Sequence, residues 1–292
     1  MKEVNIEGLL EEILPTMLNY STYVQAIQRY TKLELKGDAA ENPVARAFTH
    51  ADIMYQEGVA RGLLKIMKET GWEFQFAPEE ESPYNLLFPT NGKYRIGLDP
   101  IDGSLVFVNG FSTYCHAFSV YEEGYLKGAL VHTPIDKRTY VALAEKEHAE
   151  LWTPQSGVIH KEQFTLPQTT NPIAISMNIP DETAAELRRH GVNLMLFGTS
   201  SMQPDLEMNG VYRGEIGSFF KQTAAGIDWG ALGFIIEKAG GRVSDFSGNK
   251  VDHKYWERDD GTPEGSIPSI IVSNNPRLHE TLVEVLAPNY RQ

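Results

Sequence analysis

Apolar residues recur at helical spacing near the amino terminus (Leu9, Leu10, Ile13, Leu14 and Met17), which predicts a helix over 5–30 that Pro15 kinks or divides. A second helix is predicted from Thr49, which with Asp52 three residues on fits a capping box, to a stop at Gly71 beyond Ile66 and Met67. From Tyr94 the period falls to two: Tyr94, Ile96 and Leu98 alternate with Arg95 and Gly97 before a turn at Asp99-Pro100. Short β-rich runs at 114–121, 126–132 and 138–144, separated by Glu122-Glu123-Gly124 and Thr133-Pro134, predict an antiparallel meander. A polar, proline-containing stretch over 147–171 is the best candidate for a crossing between domains, with room for a strand inside it. Beyond it the pattern alternates: a strand at 173–177, a helix at 181–190, a strand at 194–197 and a helix through 231–238 ended by Gly240-Gly241. A strand at 269–273 follows, and Asn275-Pro276 opens a last helix. The pattern predicts an α+β first half, with helices on an antiparallel sheet, and an α/β second half, divided into domains at 1–150 and 151–292.

Composition narrows what such a chain does. The 292 residues, 41% of them hydrophobic, suffice for one large or two modest cores. No stretch approaches the roughly 18 apolar residues of a membrane span, and the start of the chain lacks a signal-peptide pattern, so a cytoplasmic protein is expected. The single cysteine, Cys115, rules out an intrachain disulfide and fits a reducing compartment. A net charge of −13 repels nucleic acid polymers and anionic membranes, so a phosphate-bearing ligand would need local positive charge from Lys or Arg, helix amino termini or bound cations. The eight histidines show no zinc spacing, which reads His132 and His190 as core or surface residues. No G-x-G-x-x-G follows a strand, which argues against a dinucleotide oxidoreductase.

The densest chemistry lies in Gly97-Leu98-Asp99-Pro100-Ile101-Asp102-Gly103-Ser104. Asp99 closes an apolar strand, and Pro100 and Gly103 force a tight turn, so both carboxylates converge at a strand end in a geometry suited to hard cations such as magnesium. Ser104 and the N–H groups after Gly103 would meet a phosphate if a helical turn starts there. Taken alone, the same residues make an ordinary turn equally well.

The segment Asp99 to Ser104 resembles the signature of the inositol monophosphatase superfamily, which includes fructose-1,6-bisphosphatases and 3′(2′),5′-bisphosphate nucleotidases. A second signature, an Asp and Trp leading an Ala/Gly-rich helix that ends in Gly-Gly, is matched from Ile227-Asp228-Trp229-Gly230-Ala231 to Gly240-Gly241, with the Trp after the Asp instead of before it. Pro78-Glu79-Glu80-Glu81-Ser82 resembles the upstream acidic pair, and Thr49-His50-Ala51-Asp52 resembles the segment whose Asp positions the attacking water. Gly198-Thr199-Ser200 resembles the loop that contacts substrate hydroxyls. Each match has a plainer alternative: a helix cap for Asp52 and Asp228, a solvated acidic loop for 79–81.

The resemblance implies a layered αβαβα sandwich and a magnesium-dependent phosphate monoester hydrolase using two or three ions. One ion is expected between Glu80 (Glu79 second), Asp99 and the Ile101 carbonyl, and another between Asp99, Asp102 and Asp228. Asp52 and Ser104 would orient the water; Asp102, Gly103, Ser104 and the loop Gly198, Thr199 and Ser200 would meet the substrate. Inositol-selective members carry an acidic residue seven positions before the second Asp, where this chain has Lys221, either a surface lysine or a partner for a second anionic group. Leu105 and Asn109 also depart from the common pattern, which has a polar residue and His there. The expected partner is a small-molecule phosphate ester, and the family's habit implies a homodimer or tetramer. A fructose-1,6-bisphosphatase, a bisphosphate nucleotidase and a catalytically silent binder of phosphate compounds are the alternatives.

Overall fold

The computed structural model describes residues 2–35, 47–166, 172–176, 180–196, 215–220, 224–257, 264–267 and 269–289. Helix α1 (Ile6–Ile27) opens on Asn5, whose side chain accepts the Gly8 N–H, and buries Leu9, Leu10, Ile13, Leu14, Met17 and Val24. Pro15 lies inside this helix without dividing it, because the apolar stripe continues on both sides and docks as one surface. Two short strands, β1 (Leu33–Leu35) and β2 (Ala47–Thr49), pair antiparallel and deliver the chain to α2 (His50–Thr70). The predicted capping box at Thr49 and Asp52 is present, and Gly71 closes α2 in the left-handed conformation, φ 73°.

The strands β3 (Gln75–Pro78), β4 (Tyr94–Asp102), β5 (Cys115–Glu122), β6 (Tyr125–Thr133), β7 (Arg138–Leu143), β8 (Ala149–Gln155) and β9 (Val158–Phe164) form one seven-stranded sheet in chain order, with the short helix α3 (Ser104–Val108) between β4 and β5. Only β3 and β4 run parallel; the rest is the predicted meander. The polar stretch at 147–171 holds both β8 and β9. A second sheet contains β10 (Pro172–Ser176), β11 (Asn193–Leu196), β12 (Glu215–Phe220), β14 (Arg242–Ser244) and β16 (Ile270–Ser273), in the order β11-β10-β12-β16-β14. Around it lie α4 (Asp181–Arg189), α5 (Ala231–Lys238) and α6 (Pro276–Asn289), while β13 (Ala224–Ala225) pairs with β15 (Ser266–Ile267). Asn275 caps α6 through the N–H groups of Arg277 and Leu278, at 2.8 and 3.1 Å, as its sequence predicts.

Among the described residues, three buried clusters define the layers. One joins α1 and α2 to the Leu98, Phe118 and Val120 face of the large sheet. Another joins the opposite face, through Cys115, Ala117 and Tyr121, to Leu232, Ile235 and Ile236 of α5 and to Ile270 and Val272 of β16. A third packs Ile271, on the other face of β16, against Leu187 of α4 and Leu278, Leu282 and Leu286 of α6. The alternation of Ile270, Ile271 and Val272 between clusters is the period-two signature of a strand buried on both faces. The result is the expected αβαβα sandwich.

Candidate active site

The site is built where β4 loses its register. Asp99 pairs with Ala117 and Asp102 with Cys115, so three steps along β4 oppose two along β5. In a regular strand, residues three apart point to opposite faces; the extra residue of this bulge returns Asp102 to the face of Asp99. Both carboxylates therefore leave the sheet on the side of Ala117 and Cys115, toward α5. They are buried, Asp99 at 4% exposure and Asp102 at 3%, and the Cys115 thiol donates to Asp102 Oδ2 at 3.4 Å.

A polar core residue braces the bulge. The ring of His116 is fully buried and bonds the Pro100 carbonyl through Nδ1, while Nε2 meets Ser21 Oγ of α1 at 3.1 Å. A carbonyl only accepts, so Nδ1 carries the proton and Nε2 accepts from the serine hydroxyl. The ring stacks on Tyr55 of α2 at 4.0 Å. Burial, with the charge of His132 adding to it, lowers the His116 pKa to about 3 and keeps the ring neutral.

Beyond the bulge, Gly103 adopts φ 96°, a conformation that favours glycine, and starts α3 at Ser104. Ser104 Oγ lies 2.9 Å from Asp52 Oδ1 and 3.0 Å from the Ile101 carbonyl. Asp52 divides its duties between its oxygens. Oδ2 accepts the Thr49 N–H at 2.7 Å and the Thr49 hydroxyl at 2.6 Å, completing the helix cap, and Oδ1 is left for Ser104. Burial lifts the Asp52 carboxyl to about 7 against the opposing hydrogen bonds of Thr49 and Ser104, and the negative charges of Glu79 and Glu80 add to the rise.

The acidic run at 79–81 emerges from β3, where the Glu79 N–H still donates to the Leu98 carbonyl at 2.9 Å. Glu80 is 5% exposed, whereas Glu79 and Glu81 are exposed. Asp228 sits in a five-residue π turn, Gly226–Gly230, immediately before α5. That turn lies on β4 because Gly97 lacks a side chain: a Cβ there would overlap the Ile227 side chain. Ser119 Oγ donates to the Ile227 carbonyl at 3.3 Å, so the residue preceding Asp228 is pinned beside the strand that carries Asp99. The Asp228 side chain itself, with Gly198, Thr199, Ser200 and Lys221, lies outside the described residues.

Glu80, Asp99, Asp102 and the Ile101 carbonyl are hard oxygen donors, the type that magnesium selects. Among the described residues, no three His, Cys, Asp or Glu groups form a ready metal cage. His132 is buried in the core and His190 is an exposed partner of Glu186, in line with their sequence reading. Sequence reasoning missed His116 and Gln56, since neither an isolated His in a β-rich run nor a Gln inside a helix carries a spacing signal.

The layered α+β fold thus carries two buried carboxylates, Asp99 and Asp102, side by side at a broken strand register. The sequence model described as "Inositol monophosphatase family" matches residues 20–289. The chain belongs to the inositol monophosphatase family. Solved structures agree on the fold: an IMPase of Thermotoga maritima has 18% identity and a TM-score of 0.67, covering 97% of this chain and 99% of its own. Staphylococcal IMPase-I, complexed with products, has 17% identity and a TM-score of 0.70, covering 99% of this chain and 97% of its own. An IMPase/NADP phosphatase complexed with Mg2+ and phosphate has 18% identity and a TM-score of 0.67, covering 96% of this chain and 94% of its own. No curated protein matches the chain by sequence. No helix among the described residues is long and apolar enough to cross a membrane.

Proposed function

We propose that the protein is a magnesium-dependent phosphate monoester hydrolase, with Glu80, Asp99, the Ile101 carbonyl, Asp102 and Asp228 as the metal-binding groups for two or three ions. The observation that carries this reading is the bulge between Asp99 and Asp102, which turns two buried carboxylates to one face within a family of phosphatases. Glu80 is favoured over Glu79 because it alone of the two is buried. Bound magnesium would neutralise phosphoryl oxygens and acidify a water.

The chain's own residues do the positioning. Ser104 Oγ accepts a proton of the attacking water as its own proton passes to the Asp52 carboxylate, whose Oδ1 lies 2.9 Å away. The water oxygen forms the new bond to phosphorus as the ester P–O bond breaks, and the proton taken up by Asp52 returns through solvent to the leaving alkoxide, which departs as the alcohol. Gly103, the N–H groups opening α3 and the loop Gly198, Thr199 and Ser200 are the proposed contacts to substrate, with Asp102 at its edge. Solved relatives bound with D-inositol-1-phosphate, or with NADP and Ca2+, support a small phosphate ester as substrate. Lys221 favours one with a second anionic group, such as a sugar or nucleotide bisphosphate. A cytoplasmic homodimer or tetramer completes the proposal.

Phosphate release measured over inositol phosphates, sugar bisphosphates, 3′-phosphoadenosine 5′-phosphate and histidinol phosphate, with and without magnesium, tests it. Turnover of at least one compound only with magnesium is expected, with bisphosphates preferred. No release from any of them would favour a silent phosphate-binding protein.

A further inference from the structure

Gln56 stands one helical turn beyond Asp52 on α2 and is fully buried. Its amide lies along the backbone of Glu80. Oε1 accepts the Glu80 N–H at 3.1 Å, and Nε2 donates to the Glu80 carbonyl at 2.7 Å. Asn85 closes the arrangement, its Nδ2 donating to the same carbonyl at 2.9 Å while its Oδ1 accepts from Gln56 Nε2 at 3.3 Å. The orientation of the Gln56 amide is fixed by its partners, since only oxygen can meet an N–H and only nitrogen a carbonyl. Gln56 thus supplies Glu80 with what a neighbouring strand would supply, just where the chain has left β3 after its last rung at Glu79. With the backbone clamped at residue 80, Glu80 turns inward while Glu79 and Glu81 face solvent.

We propose that Gln56 is a positioning residue for the metal site: it fixes the Glu80 main chain so that the carboxylate is held ready for a cation. Residues 52 and 56 share one face of α2, so the helix sets two parts of the site at once, Ser104 through Asp52 and Glu80 through Gln56. Glutamate at 56 would keep an acceptor for the N–H but turn an oxygen toward the Glu80 carbonyl; leucine would remove both bonds at nearly constant volume. The proposal rests on the reading of Glu80 as a metal ligand.

The test is calorimetric titration of the full chain with Mg2+, for the wild type, Gln56→Leu, Glu80→Gln and the double variant. Outer partners of metal ligands are typically worth about 10–100-fold in affinity, and Gln56→Leu is expected to weaken Mg2+ binding by that order. The magnesium concentration for half-maximal turnover should rise in step, with a smaller loss of kcat at saturation. Because Gln56 acts through Glu80, its substitution should weaken binding less than about twofold further in the Glu80→Gln background. Wild-type affinity in Gln56→Leu, or its full effect persisting when Glu80 is already replaced, overturns the positioning role while leaving Glu80 as a ligand. Wild-type affinity in Glu80→Gln removes the ligand reading and the proposal together. Should Gln56→Leu not fold, Asn85→Ala replaces it, with a weakening of a few fold expected and unchanged affinity counting against the proposal.

Discussion

At the residue scale, several positions serve the site by what they permit. Gly97 lets the π turn before Asp228 lie against β4, because any side chain there would occupy the space of the Ile227 side chain. Gly97→Ala should destabilise the protein by about 1–3 kcal/mol through overpacking and depress turnover. Ile227→Ala empties the same space, so the double variant should be at least about 1 kcal/mol more stable than the sum of the two single effects. Denaturant unfolding of the four proteins checks this; strict additivity would mean that the two residues do not compete for one space. Of the proposed site residues, Asp99, Asp102 and Ser104 were legible because turn-forming residues cluster among them, although β4 runs on through Asp102 and a bulge stands where the sequence predicts a turn at Asp99-Pro100; Asp52 was legible because a capping box has a fixed spacing. The choice among Glu79, Glu80 and Glu81 was not legible from composition. In the proposed site it rests on Gln56, 24 residues earlier in sequence, whose hydrogen bonds to the Glu80 backbone exist only after α2 packs beside β3.

At the element scale, hydrophobic period and cap chemistry carried most of the fold. Helix α2, the meander β5–β7, and α6 with its Asn275 cap all lie where local pattern puts them, to within a residue or two. Where local pattern misled, tertiary packing decided. Pro15 forfeits one backbone hydrogen bond, yet α1 stays whole because Leu10, Ile13, Leu14 and Met17 on either side bury as one surface. Strands β8 and β9 looked like linker because the solvent face of β9 is polar. Lys161 of β9 pairs with Glu7 and Glu11 of α1, and Trp152 of β8 is buried in the core, so their strand character comes from what covers them. The bulge in β4 could not be read either. A three-residue spacing of Asp99 and Asp102 places them on opposite faces unless an extra residue intervenes, and only the register against β5 reveals that it does.

At the scale of the whole molecule, the layers bury ionisable groups whose protonation couples to folding. Burial lowers His116 to about 3, with His132 adding to the effect, and lowers His132 and His279 to about 4, each from an ordinary value of 6.5. The unfolded chain therefore takes up protons that the folded one refuses, so stability from these groups is full above pH 6.5 and is lost as pH falls toward 4. Asp52, raised to about 7 from 3.8, acts in the opposite sense, since the folded state holds its proton first. For these four groups together the balance is a net uptake of about two protons on unfolding near pH 5, a slope of roughly 2–3 kcal/mol per pH unit. Thermal unfolding in magnesium-free buffer should show a midpoint that falls steadily from pH 7 to 4.5, and less steeply in His279→Gln; a flat profile would contradict this assignment of the buried histidines.

The same layers bring α2, the bulge of β4 and the π turn before α5 to one place, where we propose that phosphate esters are hydrolysed with magnesium. Asp102→Asn keeps the shape and the burial of the side chain and removes its charge. With a turned-over substrate and saturating magnesium, this variant should lose phosphate release by at least about a hundredfold with circular dichroism unchanged. Near-normal release would mean that the Asp102 carboxylate holds no catalytic metal.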